Sequence, residues 1–428
     1  MRALVLGANL AGLLSALHLR HQGHAVTVLV DGPEVADQAL PPLVFSDPGP
    51  WGAAHGALSA LSALLQDCRD LRLGLDGLAY SGWLLRCLGG RWGGRARSQA
   101  LQSLAMARRS QLMFEQLQAS GTLPKPLEPV SLLNLYRDEA LAQSQCQRGP
   151  MWHLGTRPSV LNKSALQASL AQGDPAWASR LHGLQSQGWM LADGAATLSL
   201  LRHQLAEANV RFIFDHHIDG AVHAGQHLHA VQVRGRLGLA EEIDTDQVVA
   251  ASYPLALPLL RLLGVKLRLA PLTQWRLHAQ LTDADEAAQW VHEQHSGIRI
   301  TRQGRQLWAL GPAWLGQTDG SASQEVMHLA SALTRHFGAG WTASLQEPEP
   351  QTHWAAPDGL PVVSRTHTRN LLLNLGHHSV QPCFAFGALA LLQNLLQAAP
   401  SAKSRPGTPA RWSPSQQSLA SPQGLSHD

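Results

Sequence analysis

Apolar and polar positions along this chain follow two periods, and its opening residues show both. Ala3-Leu4-Val5-Leu6 is a short apolar run that breaks into Gly7-Ala8-Asn9-Leu10-Ala11-Gly12, after which apolar residues recur at helical spacing as far as His21. Gly23 closes that helix, and Ala25-Val26-Thr27-Val28-Leu29-Val30 follows as a second strand. The pattern predicts a strand-turn-helix-strand unit. Residues 33–51, rich in Pro, Gly and Asp, read as a long loop, and loops of that length are more often functional than idle.

Further along, helical spacing predicts helices at 57–66, 82–88 and 98–119, the last a long amphipathic helix ending at Gly121. A strand follows at 130–136. A helix at 194–208, a strand at 210–214, short strands at 221–222 and 229–233 and another strand at 247–251 together read as an α/β unit resuming after an insertion. From 267 to 280 and from 297 to 310 the apolar positions alternate, with Trp275 and Trp308 among them, as suits an antiparallel sheet with one covered face. A helix at 321–337, a buried strand at 370–377 and a helix at 383–396 with Pro382 at its start complete the ordered part. Ser, Pro, Gln and Gly dominate thereafter. Residues 399–428 are predicted to be a disordered tail.

Composition narrows the class without naming a function. With 428 residues, 45% of them hydrophobic, the chain is long enough for two associated domains, each with a core. A formal net charge of +3 and the lack of any basic run interleaved with aromatics argue against nucleic acid as a partner. The cysteines Cys68, Cys87, Cys146 and Cys383 lie far apart in no ligand spacing, so they read as thiols of a reducing compartment, with no metal site. The paired histidines His216-His217 and His377-His378 would face opposite sides of a strand, and no carboxylate or cysteine is spaced to complete a site around them. No export signal or transmembrane run is recognisable; the most apolar segment, 253–265, is broken by Pro254, Pro258 and Arg261. A cytoplasmic location is expected, with peripheral contact at the inner face of the plasma membrane left open.

The turn between the first strand and helix carries the first candidate chemistry. Gly7 to Gly12 matches a dinucleotide fingerprint, G-x-G-x-x-G, except that the middle glycine is Asn9. A helix N-terminus directed at such a turn favours an anion, so Gly7, Ala8, Asn9, Leu10, Ala11 and Gly12 are candidate phosphate-binding residues. The fingerprint also asks for an acid on the ribose, normally the last residue of the second strand. That residue is Val30, so Asp31 is the candidate, provided the chain turns at Gly32-Pro33. For Asn9 two readings stand: its amide bonds a phosphate or adopts the left-handed conformation, or its side chain occludes the site.

The whole arrangement resembles a family: the D-amino-acid dehydrogenase small-subunit type of the D-amino-acid oxidase-like FAD-dependent oxidoreductases. The likeness covers most of residues 1–397. It rests on the opening βαβ unit, on the resumed half at 194–214, on Ala309-Leu310-Gly311, and above all on Pro357-Asp358-Gly359-Leu360-Pro361-Val362-Val363 with Arg365-Thr366 and Asn370-Leu371 to Gly376-His377. The resemblance implies an α/β fold, a Rossmann-like FAD-binding domain discontinuous in sequence (residues 1–90, 190–265 and 350–398). An inserted α+β substrate domain built on an antiparallel sheet (91–189 and 266–349) would complete it. It implies FAD with its pyrophosphate at Gly7 to Gly12 and its ring near Gly376, His377 and His378. The implied reaction is oxidative deamination of a D-amino acid, or a related amine or imino acid, by hydride transfer from Cα to flavin N5. The products would be a 2-oxo acid and ammonia, with electrons passed to a respiratory acceptor.

Departures from the family pattern gather at the expected ligand path. They are Asn9, Val30, Ala39-Leu40-Pro41-Pro42-Leu43 in the loop expected to line the flavin, and His378 and Gln381 where glycines are expected. Just upstream of the Pro-Asp-Gly block, where the resemblance expects an arginine to clamp the substrate carboxylate, the chain has His353. Histidine is a weaker clamp, with at most two donors and little charge at neutral pH. His353 and His377 are the candidate catalytic residues, and Arg86, Arg91, Arg95, Arg305 and Arg365 are other cations that could replace the arginine. The departures fit either a changed ligand or a divergent, cofactor-poor member with a structural or partner-binding role.

Overall fold

The computed structural model describes residues 1–30, 42–45, 71–74, 76–89, 94–123, 125–147, 156–170, 172–191, 193–282, 288–316, 322–343, 348, 350–377 and 383–397. Asp31, the segment 39–41, the expected helix at 57–66, Cys68, Arg91, His378, Gln381 and the tail 399–428 lie outside them.

Among the described residues, six strands form a sheet in the order Val362–Arg365, Leu371–Leu375, Gln247–Ala250, Arg2–Leu6, Ala25–Leu29 and Arg211–Ile213. All neighbours run parallel except the edge strand Val362–Arg365. Both faces of the parallel part are covered, as its nearly continuous apolar strands require. On one side lie the helices Leu10–His21, Gly194–Glu207, Phe384–Gln397 and the long Gly94–Ala119, with Phe45, Phe114 and Phe386 meeting ring to ring at their centre. On the other side the antiparallel meander His216–Ala224, His227–Gly235 and Ala240–Asp244 and the helix Tyr253–Leu262 bury Leu4, Leu6, Val248 and Leu373. That helix begins with Pro254 in its first turn, where the missing N–H costs nothing, and runs through Pro258. Those two prolines hide it from a reading by pattern.

The second sheet holds twelve strands among the described residues, nine along its path and three paired onto it from the side. It is antiparallel apart from two parallel pairs, Gln289–Glu293 with Glu128–Tyr136 and Ala313–Leu315 with Leu71–Leu73. Leu43–Phe45, Leu71–Leu73 and Pro350–Ala355 pair into this sheet, although the sequence reading places 1–90 and 350–398 with the nucleotide-binding unit. Each is too short for its pattern to declare a partner. Ala270–Leu281 is the spine of the sheet, since Gln306–Leu310, Ala313–Leu315, Trp341–Ala343 and Pro350–Ala355 all pair with it.

Alternation gives this sheet two unlike faces. Trp275, Leu277, Ala279, Val291, Ile298, Ile300, Leu307 and Ala309 point to one side and are buried under the helix Ala322–Phe337. At one end of that interface Arg72 donates to the buried Glu325 of the same helix at 2.9 Å and lies over the Trp314 ring. The residues between them in sequence point to the opposite face, and most of those near the spine are polar.

Candidate functional site

The fingerprint turn has the geometry of a nucleotide-binding unit, held in this chain by its own contacts. Gly7 sits at φ +118°, and a Cβ there would come within 2.6 Å of the Ser252 Cβ. A Cβ on Gly12 would lie 1.9 Å from the Gly7 carbonyl oxygen, so both outer glycines are demanded by the close approach of helix to strand. Asn9 is the N-cap of the first helix, with φ −70° and ψ 173°. Its Oδ1 accepts from the Gly12 N–H at 2.9 Å, and its Nδ2 donates to the Ala251 carbonyl at 2.9 Å. The left-handed alternative is thereby corrected: an extended N-cap needs no glycine, and the side chain serves as a cap. Of the six turn residues, Gly7, Ala8, Ala11 and Gly12 are buried, Leu10 is half-buried and Asn9 is exposed. Asn9→Ala is expected to cost ~1 kcal/mol in urea denaturation, whereas Asn9→Gly costs only a few tenths, as for other caps.

At the end of the second strand, Val30 is buried and its N–H donates to the Ile213 carbonyl at 2.9 Å. Its side chain offers no acceptor to a ribose.

The strand Leu371–Leu375 ends at Gly376, φ +83°, followed by His377. The His377 Nε2 lies 2.8 Å from the Oδ1 of the fully buried Asn374, and the Asn374 Nδ2 donates to the Ser15 Oγ at 3.1 Å. This hydrogen-bonded chain ties the end of the sheet to the first helix. If Nε2 carries the proton, Nδ1 is an acceptor, and it is buried with no partner among the described residues. Burial holds the His377 imidazole down at about 4, against a smaller upward pull from Asn374. It is neutral at physiological pH.

His353 lies in Pro350–Ala355, directly opposite Leu272 on the spine strand. Burial, helped by the charge of Arg276, lowers its imidazole to about 4, and its Nε2 is buried with no partner among the described residues. His353 is therefore a neutral imidazole, which can offer a carboxylate a hydrogen bond but no charge. The neighbouring Trp354 ring packs on Tyr253 at 4.7 Å, next to Ser252 and so beside the fingerprint turn. The two sheets thus meet near the nucleotide-binding edge.

Sequence reasoning missed a group of polar residues that only the register brings together. Residues directly opposite in neighbouring strands share a face. Arg276 is opposite Leu310, which is opposite Arg299; His278 is opposite Trp308, which is opposite Thr301; and Gln274 is opposite Gln351. These residues and His353 occupy the face turned away from the apolar helix-covered side. His278 and Trp308 stack at 5.1 Å with 21° between their planes, and His278 Nδ1 and Trp308 Nε1 are buried without partners among the described residues. Of the alternative cations, Arg365 instead donates to the Leu395 carbonyl, Arg86 is exposed and Arg305 lies in the turn between two strands.

Comparison with known proteins decides the family. The profile of the DAO family, FAD dependent oxidoreductase, matches residues 2–391. The chain belongs to that family. It is 27% identical over 428 residues to a D-amino acid dehydrogenase of Vibrio cholerae, covering 95% of this chain and 97% of the relative. In fold it is similar to iminodiacetate oxidase from Chelativorans sp. BNC1, with a TM-score of 0.64 at 16% identity, covering 95% of this chain and all of that one. It is also similar to L-alpha-glycerophosphate oxidase from Mycoplasma pneumoniae with FAD bound, with a TM-score of 0.60 at 12% identity and 93% of this chain covered.

The residues present fit an FAD. The outer glycines keep the strand-to-helix approach, the Asn9 side chain is folded back onto Gly12 and Ala251, and the bare His377 Nδ1 at the end of the sheet suits a hydrogen-bonding ring. The ribose position departs, because Val30 is apolar. Among the described residues, no helix is long and apolar enough to cross a membrane.

Proposed function

We propose that this DAO-family oxidoreductase oxidises the C–N bond of an amino or imino acid, most closely in the manner of a D-amino acid dehydrogenase. The observation that carries the reading is the polar face of the larger sheet. The spine strand that carries it starts at the nucleotide-binding edge, where the Leu269 side chain lies 3.5 Å from a Cβ built on Gly376, in a chain whose family match runs from residue 2 to 391. Loss of hydride from Cα would give an imino acid, which water hydrolyses to a 2-oxo acid and ammonia. A respiratory electron acceptor, D stereochemistry and the inner face of the plasma membrane belong to this proposal.

The turn Gly7 to Gly12 and the N-terminus of the first helix would hold the pyrophosphate, and Gly376 and His377 the ring. FAD, when bound, supplies the two-electron acceptor. Little side-chain acid–base chemistry is required, since the reaction needs chiefly the neutral substrate amine and an aligned Cα–H. His353 and His377, both neutral, can accept or donate one hydrogen bond each without adding charge next to the substrate amine.

Anaerobic mixing of the FAD-loaded protein with D-amino acids, their L-enantiomers and iminodiacetate tests the reading. Bleaching of the flavin band by one of these classes is expected. Unchanged spectra with all of them contradict it.

A further inference from the structure

The arginine that the resemblance expects at position 353 is absent, yet the face that would receive a carboxylate carries two other arginines. Along the strands Ala270–Leu281, Gln289–Glu293, Ile298–Gln303, Gln306–Leu310 and Pro350–Ala355, the residues on this face are almost all neutral polar or apolar. Arg276 and Arg299 are the exceptions, and no Asp or Glu shares the face on these strands. We propose that Arg276 holds the carboxylate of the substrate, the cation having moved from the strand of His353 to the adjoining spine strand. This rests on the amino-acid reading above and deepens it: the substrate is a carboxylate-bearing amine.

Three observations support the move. With its amide turned to present Oε1, Gln351 accepts from Arg276 Nη1 at 3.1 Å and Nη2 at 3.0 Å, so the guanidinium fork is aimed along the face. Gln351 is two residues before His353 on the same strand and face, so the fork is directed toward the vacated arginine position. A carboxylate offers the fork the same two-pronged acceptor as that amide oxygen, with a full charge in place of a dipole, and so displaces it favourably. The third observation is a set of unpartnered atoms on the same face, at spine positions on either side of Arg276. His353 Nε2, His278 Nδ1 and the indole Nε1 of Trp308, whose residue is 8% exposed, are buried on the same face without partners among the described residues. Buried polar atoms without partners point to a ligand that supplies them.

His353 then has a different part from the arginine it replaces. Neutral, and next to a cation on the adjoining strand, it can bond a substrate oxygen or nitrogen without competing for charge. Arg276 carries the charge.

Calorimetric titration of the full chain with benzoate, with benzamide as the uncharged control, tests the assignment, with and without added FAD. Benzoate is expected to bind the wild type, and Arg276→Gln to weaken it about 10- to 100-fold, as expected for the loss of a charge-assisted bond. Arg276→Lys should keep part of the affinity, and the double variant Arg276→Gln/His353→Arg should regain it, because it restores the cation at the original position. Benzamide binding should not follow the charge. Absorbance of bound FAD in each variant reports whether the nucleotide site is intact. FAD binding together with benzoate affinity that is absent, or indifferent to Arg276, overturns the proposal and leaves the flavin reading standing. Arg276-dependent benzoate binding in a chain that takes no FAD supports the proposal and overturns the flavin reading.

Discussion

Gly12→Val will unfold the nucleotide-binding half of this protein or leave it unable to take FAD. A Cβ at that position would sit 1.9 Å from the Gly7 oxygen and 2.9 Å from the Gly7 carbonyl carbon, both backbone atoms with no rotamer to escape into. The first helix must therefore lift off the first strand, and its buried face, Leu13, Leu14, Ala16, Leu17 and Leu19, goes with it. A loss of ~3 kcal/mol or more is expected from overpacking alone, with further loss from the disturbed core. Gly23→Ala is the control. Gly23 has φ +82° and nothing within 4 Å of a new Cβ, so only the left-handed backbone penalty of ~1–2 kcal/mol applies. Urea denaturation of both variants checks the contrast; equal losses would show that the close helix–strand approach does not matter.

Glu293→Ala is expected to be the most damaging change in the larger sheet. The Glu293 carboxylate is fully buried. Its Oε1 lies 3.0 Å from His336 Nε2, its Oε2 accepts from Ser296 Oγ at 2.6 Å, and Arg335 Nη2 donates to it at 3.2 Å. Trp177 closes the cluster, edge-on to His336 and facing the Arg335 guanidinium at 5.7 Å. Burial alone would push this carboxyl up. The His336 hydrogen bond and charge, the Arg335 charge and the Ser296 hydroxyl outweigh burial and bring it to about 2. Removing the carboxylate leaves the buried His336 ring and the half-buried Arg335 guanidinium without their shared partner, and breaking a buried pair in this way typically costs ~3–5 kcal/mol. The pH dependence follows from the sign of the shift. A folded-state value below the unfolded one of ~4.3 gives stability that is present above the unfolded value and lost as pH falls toward the folded one. The stability gap between wild type and Glu293→Gln should therefore be widest near neutrality and shrink between about pH 4 and pH 2. A gap that stays constant through that range would contradict the ionised cluster.

The sequence made some of this legible and hid the rest for definable reasons. The opening unit, the helices Gly194–Glu207 and Phe384–Gln397 and the strand Leu371–Leu375 were visible because each carries a clean period over its own length. The strand His182–Leu191 was missed, since Gly183, Gln185, Gln187 and Gly188 break its apolar alternation. Asn9 was visible as a departure, but its two hydrogen bonds depend on Ala251, at the end of a strand far along the chain. The polar face was the least legible part. Arg276, His278, Arg299, Trp308, Gln351 and His353 lie on four strands, and only their register makes them neighbours. A motif search finds the missing arginine at 353; it has no means of finding where the charge went.

The central claim, that this divergent member of the DAO family is a flavoprotein, is tested most directly by adding FAD to the purified chain and recording its thermal midpoint and visible spectrum. Binding to the native state alone stabilises it by ~2.7 kcal/mol at a hundredfold excess over Kd. The account predicts a raised midpoint, a bound flavin band that survives desalting, and loss of both in Gly12→Val. A wild-type protein that stays colourless and melts at an unchanged temperature would contradict it.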